Sequence, residues 1–204
     1  MFNYQARQIF VIHPRNAGGG LLAYLFSLDS RAAAINFKKQ SLEEKLRDWY
    51  DFVQRRSGNA HVHGFINFGH KLYMENIAQA DHCDCYVHKS HFYEMFENQN
   101  SLLQMMPHKE SIGLYLTENC IEQLVRFRPN TPKIDYYQMW VYANQKSLLQ
   151  NYFSINCRHW FTFSDLLNLD RVMDHLAYCR DLFTLDTDLA VYSQIIKQWY
   201  TLIK

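Results

Sequence analysis

The sequence predicts an α/β fold: a mostly parallel sheet of about four to five strands, covered by helices on both faces. Short apolar runs alternate with longer segments whose apolar residues recur at helical spacing, which is typical of a parallel sheet. The first apolar run leads through three consecutive glycines into a helical pattern. With 204 residues and a hydrophobic fraction of 48%, the chain can bury one large core. We therefore expect a single domain over residues 1–204.

The first strand and the turn after it are the most informative segment. Residues 9–12 form an apolar run typical of a buried strand, and Pro14 ends it because proline cannot continue the ladder. Residues 18–20 are glycines, and apolar side chains then recur at helical spacing over residues 21–26. This order places backbone N–H groups at a helix N-terminus, where the macrodipole also favours an anion. With Arg15 inside it, the turn predicts an anion-binding site; the alternative is a tight turn that binds nothing.

The later segments continue the alternation of strands and helices. In parallel sheets, ligands bind beyond the carboxyl ends of the strands. Three segments are predicted at such ends, residues 13–20, 88–91 and 117–120, so we expect one cleft lined by all three. The later strands are predicted within residues 60–68, 83–88, 112–117 and 159–163. The later helices are predicted over residues 41–56, 120–128 and 135–153, from residue 164, from an N-cap at Asp170 through residue 179, and over about residues 189–203.

Composition limits the partners that we expect. A net charge of +1 gives no basic face for nucleic acid. The chain has no apolar stretch of transmembrane length, and its early apolar run is too short for a secretory signal. Its five cysteines do not indicate a disulfide framework. We therefore expect a cytoplasmic protein that binds neither nucleic acid nor membrane; the sequence indicates no particular oligomeric state.

A His-Lys-Ser-His run at residues 88–91 follows the predicted third strand and contains candidate catalytic groups. A histidine can act as a general base because its pKa lies near neutrality. His91 is the candidate base, and Lys89 can stabilise charge that develops on a transferring group. The alternative is that these side chains are simply exposed polar residues of a loop.

The same region also permits a metal-binding interpretation, since zinc accepts four ligands of these types. However, strand alternation would place both thiols of Cys83-x-Cys85 on one face, pointing into a core, and free cysteines are often simply buried. The metal interpretation therefore stays an alternative. The potential ligands are His82, Cys83, Cys85, His88 and His91, with His61 and His63 upstream.

The glycine turn also disfavours some nucleotide enzymes. It does not match G-x-x-x-x-G-K-[ST], so it lacks the lysine for terminal phosphates and the hydroxyl for magnesium. An ordinary ATPase or GTPase is disfavoured, and a kinase acting on nucleotides is a weak alternative.

Four segments, in the same order along the chain, resemble the sulfotransferases. Residues 14–22 look like the family's 5′-phosphosulfate loop, and residues 89–92 (Lys-Ser-His-Phe) are similar to the Lys-Thr-His-Leu segment that supplies its base. Residues 115–127 resemble the strand-and-helix motif that begins Tyr-Leu-x-Arg-Asn-Pro. Residues 161–167 resemble the late Tyr-Glu-Asp-Leu junction. The resemblance implies a P-loop-NTPase-like sulfotransferase fold over most of the chain.

The resemblance also implies a reaction. The donor would be 3′-phosphoadenosine 5′-phosphosulfate (PAPS), used without a metal, and the acceptor a hydroxyl or amine of a small molecule or glycan. His91 would take the acceptor's proton, while Arg15 and Lys89 stabilise charge on the bridging and sulfuryl oxygens. The residues implied to hold the 5′-phosphosulfate are Arg15, Asn16, Ala17, Gly18, Gly19, Gly20 and Leu21.

Two positions depart from the family's pattern. An arginine and a serine eight residues apart hold the donor's 3′-phosphate in the family; here Glu118 and Arg126 stand in those places. A carboxylate repels a phosphate, whereas arginine suits one well. Arg126 is therefore either a replacement ligand, a partner of Glu118, or a solvated surface residue. The departure leaves open a sulfotransferase-fold protein that binds another nucleotide or anion.

Overall fold

A computed structural model of the chain describes residues 2–13, 17–29, 66–67, 77, 80, 82–91, 104–115, 118–127, 132 and 156–203. Within these ranges, five strands form one sheet, and every pair of neighbouring strands is parallel. The strands are β1 (Arg7–His13), β2 (Ile66–Asn67), β3 (Cys85–His91), β4 (Lys109–Tyr115) and β5 (Asn156–Thr162). Their order across the sheet is β2-β3-β1-β4-β5. The predicted α/β class is confirmed.

Five helices accompany these strands in the described part of the chain. The first follows β1 after the glycine turn, and the second follows β4. The last three succeed one another after β5. They are α1 (Gly19–Phe26), α2 (Glu118–Phe127), α3 (Phe163–Leu166), α4 (Leu169–Phe183) and α5 (Leu189–Ile203). None of the described helices is long and apolar enough to cross a membrane.

The core lies on the face of the sheet that carries Ile9 and Val11 of β1. Both side chains are fully buried, and the alternating positions of β3, β4 and β5 extend the same apolar surface. Helices α1, α4 and α5 contribute buried side chains to this cluster, and α2 adds Ile121 and Leu124. The helical spacing predicted for the last segment is confirmed: Tyr192, Ile195 and Ile196 of α5 are fully buried.

The third strand extends further than predicted. It ends at His91 rather than at residue 88, so residues 88–91 lie within the strand and not beyond it. These residues are mostly polar, and no apolar pattern marks them as a strand. They pair with β1 as far as His91, which lies opposite His13, and this ladder satisfies the backbone groups that face β1. The prediction of a loop at residues 88–91 was therefore wrong.

Other element boundaries also differ from the prediction: β5 spans Asn156–Thr162 rather than residues 159–163, and α2 spans Glu118–Phe127 rather than residues 120–128. Strand β4 begins at Lys109 rather than at residue 112, because the polar residues 109–111 also pair with β1 and β5. Helix α4 begins after Asn168, whose side chain accepts a hydrogen bond from the Arg171 N–H at 3.2 Å. The predicted N-cap, Asp170, lies instead in the first helical turn, where a carboxylate is also favourable. The helices predicted over residues 41–56 and 135–153 lie outside the described residues.

Candidate anion-binding site

The glycine turn leads directly from the end of β1 into α1. Gly18 is the N-cap and adopts a left-handed backbone (φ 84°, ψ 6°), with no side-chain cap. The N–H groups of Leu21 and Leu22 donate to the Gly18 carbonyl at 3.0 and 3.3 Å. The N–H groups of Gly19 and Gly20 precede these first helical bonds and therefore belong to the open N-terminal turn, where backbone donors favour an anion.

Two of the glycines are required for different physical reasons. The positive φ of Gly18 would strain any residue with a side chain, and a Cβ there would lie 2.9 Å from Cδ1 of Leu166. The backbone of Gly19 is packed against the ring of His13, and a Cβ at position 19 would overlap that ring. The buried ring of His13 therefore packs against the start of α1 only when position 19 is glycine.

The other candidate site residues lie either on the neighbouring strand β3 or in the turn itself. His91 pairs with His13 at the carboxyl ends of β3 and β1, and the half-buried Lys89 pairs with Val11 two residues earlier. Both lie on the strand next to β1, near the edge where α1 begins. Ala17 is buried in the turn itself, whereas Arg15 and Asn16 lie outside the described residues.

Glu118 and Arg126 occupy opposite ends of α2. Glu118 is the first residue of the helix, close after the end of β4, and Arg126 is exposed in the last turn. At 1.5 Å per residue, they are separated by about 12 Å along the helix axis. Glu118 therefore starts its helix at the carboxyl edge of the sheet, and Arg126 lies away from that edge.

His88 is a structural residue of the sheet rather than a base. It is fully buried, and its Nε2 lies 2.7 Å from Oε1 of Gln8, while its ring stacks on Phe10 at 4.5 Å. The Gln8 amide nitrogen donates to backbone carbonyls at 3.1 and 3.2 Å, so its oxygen accepts from the His88 Nε2–H. Burial lowers the pKa of His88 to about 3, so the ring stays neutral at ordinary pH.

The metal-binding alternative does not fit this arrangement. His88 pairs with Phe10, whereas Cys85 belongs to the core on the opposite face with Ile9. Cys83 is buried and His82 is exposed. Across the described ranges, no three such side chains are grouped so that they could hold a metal ion. His61 and His63 lie outside those ranges.

A polar cluster that the sequence did not indicate connects β5, α3 and α4. His159 Nε2 lies 2.6 Å from His175 Nδ1, and His175 Nε2 lies 3.5 Å from Oδ2 of Asp165. The Thr162 hydroxyl donates to the same carboxylate oxygen at 2.6 Å and accepts from the Asp165 N–H, forming a capping box. The Thr-x-x-Asp spacing is a local signal that could have revealed the box. The contact between the two histidines has no such signal.

Comparisons with known proteins do not assign this chain to a family. A scan against family models finds no match, and neither does a comparison with the curated proteins. A crystal structure of shikimate kinase from Bacteroides thetaiotaomicron is similar, with a TM-score of 0.45 and 13% sequence identity over 88% of this chain and 99% of that chain. A likeness of this size says nothing about what the chain binds or does.

Proposed function

We propose that this chain is a sulfotransferase that moves a sulfuryl group from PAPS to a hydroxyl or amine of a small-molecule or glycan acceptor. One observation carries the proposal: β1, the left-handed turn at Gly18 and α1 present the N–H groups of Gly19 and Gly20 at the edge where His91 ends the neighbouring strand. This arrangement suits an anionic donor with a general base close by. The four segments that resemble the family also support it.

In the proposed step, the acceptor oxygen or nitrogen attacks the sulfur while His91 takes the acceptor's proton. A new bond to sulfur forms, the bond from sulfur to the 5′-phosphate oxygen breaks, and 3′-phosphoadenosine 5′-phosphate leaves with that electron pair. Arg15, Lys89 and the backbone N–H groups of Gly19 and Gly20 stabilise the charge that gathers on the bridging and sulfuryl oxygens. As in phosphoryl transfer, positioning and charge stabilisation do most of the work.

A second candidate, a protein of the same architecture with altered donor specificity, is favoured by the position of Glu118. Glu118 is the first residue of α2, a helix position that generally favours an acidic residue because of the helix dipole. That role requires no ligand, and the charge opposes a 3′-phosphate. Arg126 is exposed in the last turn of α2, so it is available to solvent or to an anion. In this second function, the glycine turn would bind a nucleotide or anion that lacks a 3′-phosphate.

Calorimetric titration with 3′-phosphoadenosine 5′-phosphate and with AMP separates the two functions. The sulfotransferase predicts micromolar affinity for the bisphosphate and at least tenfold weaker binding of AMP, a difference of about 1.4 kcal/mol. Equal affinities would favour the second function. If neither nucleotide binds, the sulfotransferase is contradicted, and the second function is restricted to an anion other than these two nucleotides. The Gly18→Ala variant is the control, because a strained turn should lose affinity for both nucleotides together.

A further inference from the structure

Helix α3 is a single turn that is held at both ends. At its start, the Asp165 carboxylate accepts from the Thr162 N–H at 2.9 Å and from the Thr162 hydroxyl at 2.6 Å. At its end, the hydroxyl of Tyr200 in α5 donates to the Leu166 carbonyl at 2.8 Å. The carbonyls at a helix end lack helical partners, and Tyr200 supplies one to Leu166. The last turn of α5 thereby fixes the position of Leu166.

Leu166 also contacts the glycine turn. Its side chain is fully buried, and its Cδ1 lies 2.9 Å from the position that a Cβ on Gly18 would occupy. The ring of Trp199, next to Tyr200 in α5, lies 4.0 Å from the same point. Gly18, the left-handed N-cap of α1, therefore packs against two buried side chains from the last part of the chain.

We propose that Tyr200 is a positioning residue for the anion-binding turn: by holding the Leu166 carbonyl, it keeps Leu166 against Gly18 and so keeps the N–H groups of Gly19 and Gly20 aligned. Its effect on ligand binding rests on the proposed function; its effect on the turn does not. Burial raises the pKa of Tyr200 to about 12, so its hydroxyl remains a donor at all ordinary pH values.

Amide hydrogen exchange tests the effect on the turn without a ligand. The reporters are the N–H groups of Leu21 and Leu22, because both donate to the Gly18 carbonyl. In Tyr200→Phe, we expect their exchange to quicken about fivefold, the equilibrium change for one hydrogen bond. Exchange in the middle of α4 should stay as in the wild type. Tyr178→Phe is the matched control, since Tyr178 is 52% exposed and lies on α4.

Two results would overturn the inference: unchanged exchange at Leu21 and Leu22 in Tyr200→Phe, or an equal rise throughout α4, which would show a general loss of stability.

Titration with 3′-phosphoadenosine 5′-phosphate then tests the consequence for ligand binding. We expect about fivefold weaker affinity in Tyr200→Phe and no change in Tyr178→Phe. Failure of the wild type to bind would contradict the proposed function, while the exchange data would still decide the role of Tyr200.

Discussion

His159 and His175 are joined by a hydrogen bond of 2.6 Å that connects strand β5 to helix α4. Burial would raise the pKa of Asp165, but hydrogen bonds from Thr162 and the nearby His175 and Arg171 lower it below its usual value. The ionised Asp165, 3.5 Å from His175 Nε2, favours a proton on that nitrogen. His175 Nδ1 then accepts from the His159 Nε2–H. This bond persists only while the two rings share a single proton between the facing nitrogens.

Acid should weaken the fold through His159. Burial, and then the charge of His175, lower its pKa from 6.5 to about 4, against the opposing effect of Asp165. The unfolded chain therefore binds an extra proton between these values, so the stabilisation is complete above pH 6.5 and is lost as the pH falls toward 4. Because His159 is only half-buried, solvent screening moderates the loss. Urea unfolding at pH 7 and pH 5 should show a smaller pH dependence in His159→Gln; equal dependence would contradict the assignment.

The buried pair of His88 and Gln8 should also contribute to stability. Gln8→Leu removes the oxygen that accepts the His88 Nε2–H, and we expect a loss of about 1–3 kcal/mol in the free energy of unfolding. Gln5→Leu, at an exposed position in the same segment, is the control and should change stability by less than about 0.5 kcal/mol. Urea denaturation at pH 7 measures both. Equal effects would show that the hydrogen bond contributes nothing specific.

Gly19 and His13 should be coupled energetically. Gly19→Ala places a methyl group into the His13 ring, and we expect a loss of about 1–3 kcal/mol from overpacking. In the background of His13→Ala, the same substitution should cost much less, because the ring is gone. A double-mutant cycle by chemical denaturation measures the coupling. Additive effects would mean that the ring does not require glycine at position 19.

His91 should be needed for transfer but not for donor binding. In His91→Ala, we expect sulfuryl transfer from PAPS to fall to background, since no group remains to take the acceptor's proton. The affinity for 3′-phosphoadenosine 5′-phosphate should stay within about twofold, which calorimetry can resolve at the 0.4 kcal/mol level. Unchanged turnover would remove His91 from the proposed mechanism.

Arg126 should matter only if it has replaced the 3′-phosphate ligand. Arg126→Ala would then weaken binding of 3′-phosphoadenosine 5′-phosphate by about ten- to a hundredfold and leave AMP unaffected, since loss of a charged hydrogen bond costs about 1.5–3 kcal/mol. Arg158→Ala is the matched control, because Arg158 is an exposed arginine on β5. Equal bisphosphate affinity in wild type and Arg126→Ala would show that the arginine is a surface residue.

Local patterns predicted the elements that are apolar and continuous. Strand β1, helix α1 and the apolar face of α5 are in the predicted places, since their side chains repeat at strand or helix spacing. The prediction was wrong where the residues are polar. Residues 88–91 and 109–111 belong to strands because β1 pairs with them, and that pairing brings together segments about 80 and 100 positions apart along the chain.

The sequence by itself determined the α/β class and the succession of strand, glycine turn and helix, because periodicity and glycine act over a few neighbouring residues. Only the tertiary structure decided which side chains stabilise the fold and which are available to bind a ligand. The histidine at 88 is neutral and buried because the sheet brings it to Gln8, and Gly19 is required because the end of β1 turns a histidine ring onto it. Contacts between distant segments depend on strand order and register, which local spacing does not encode.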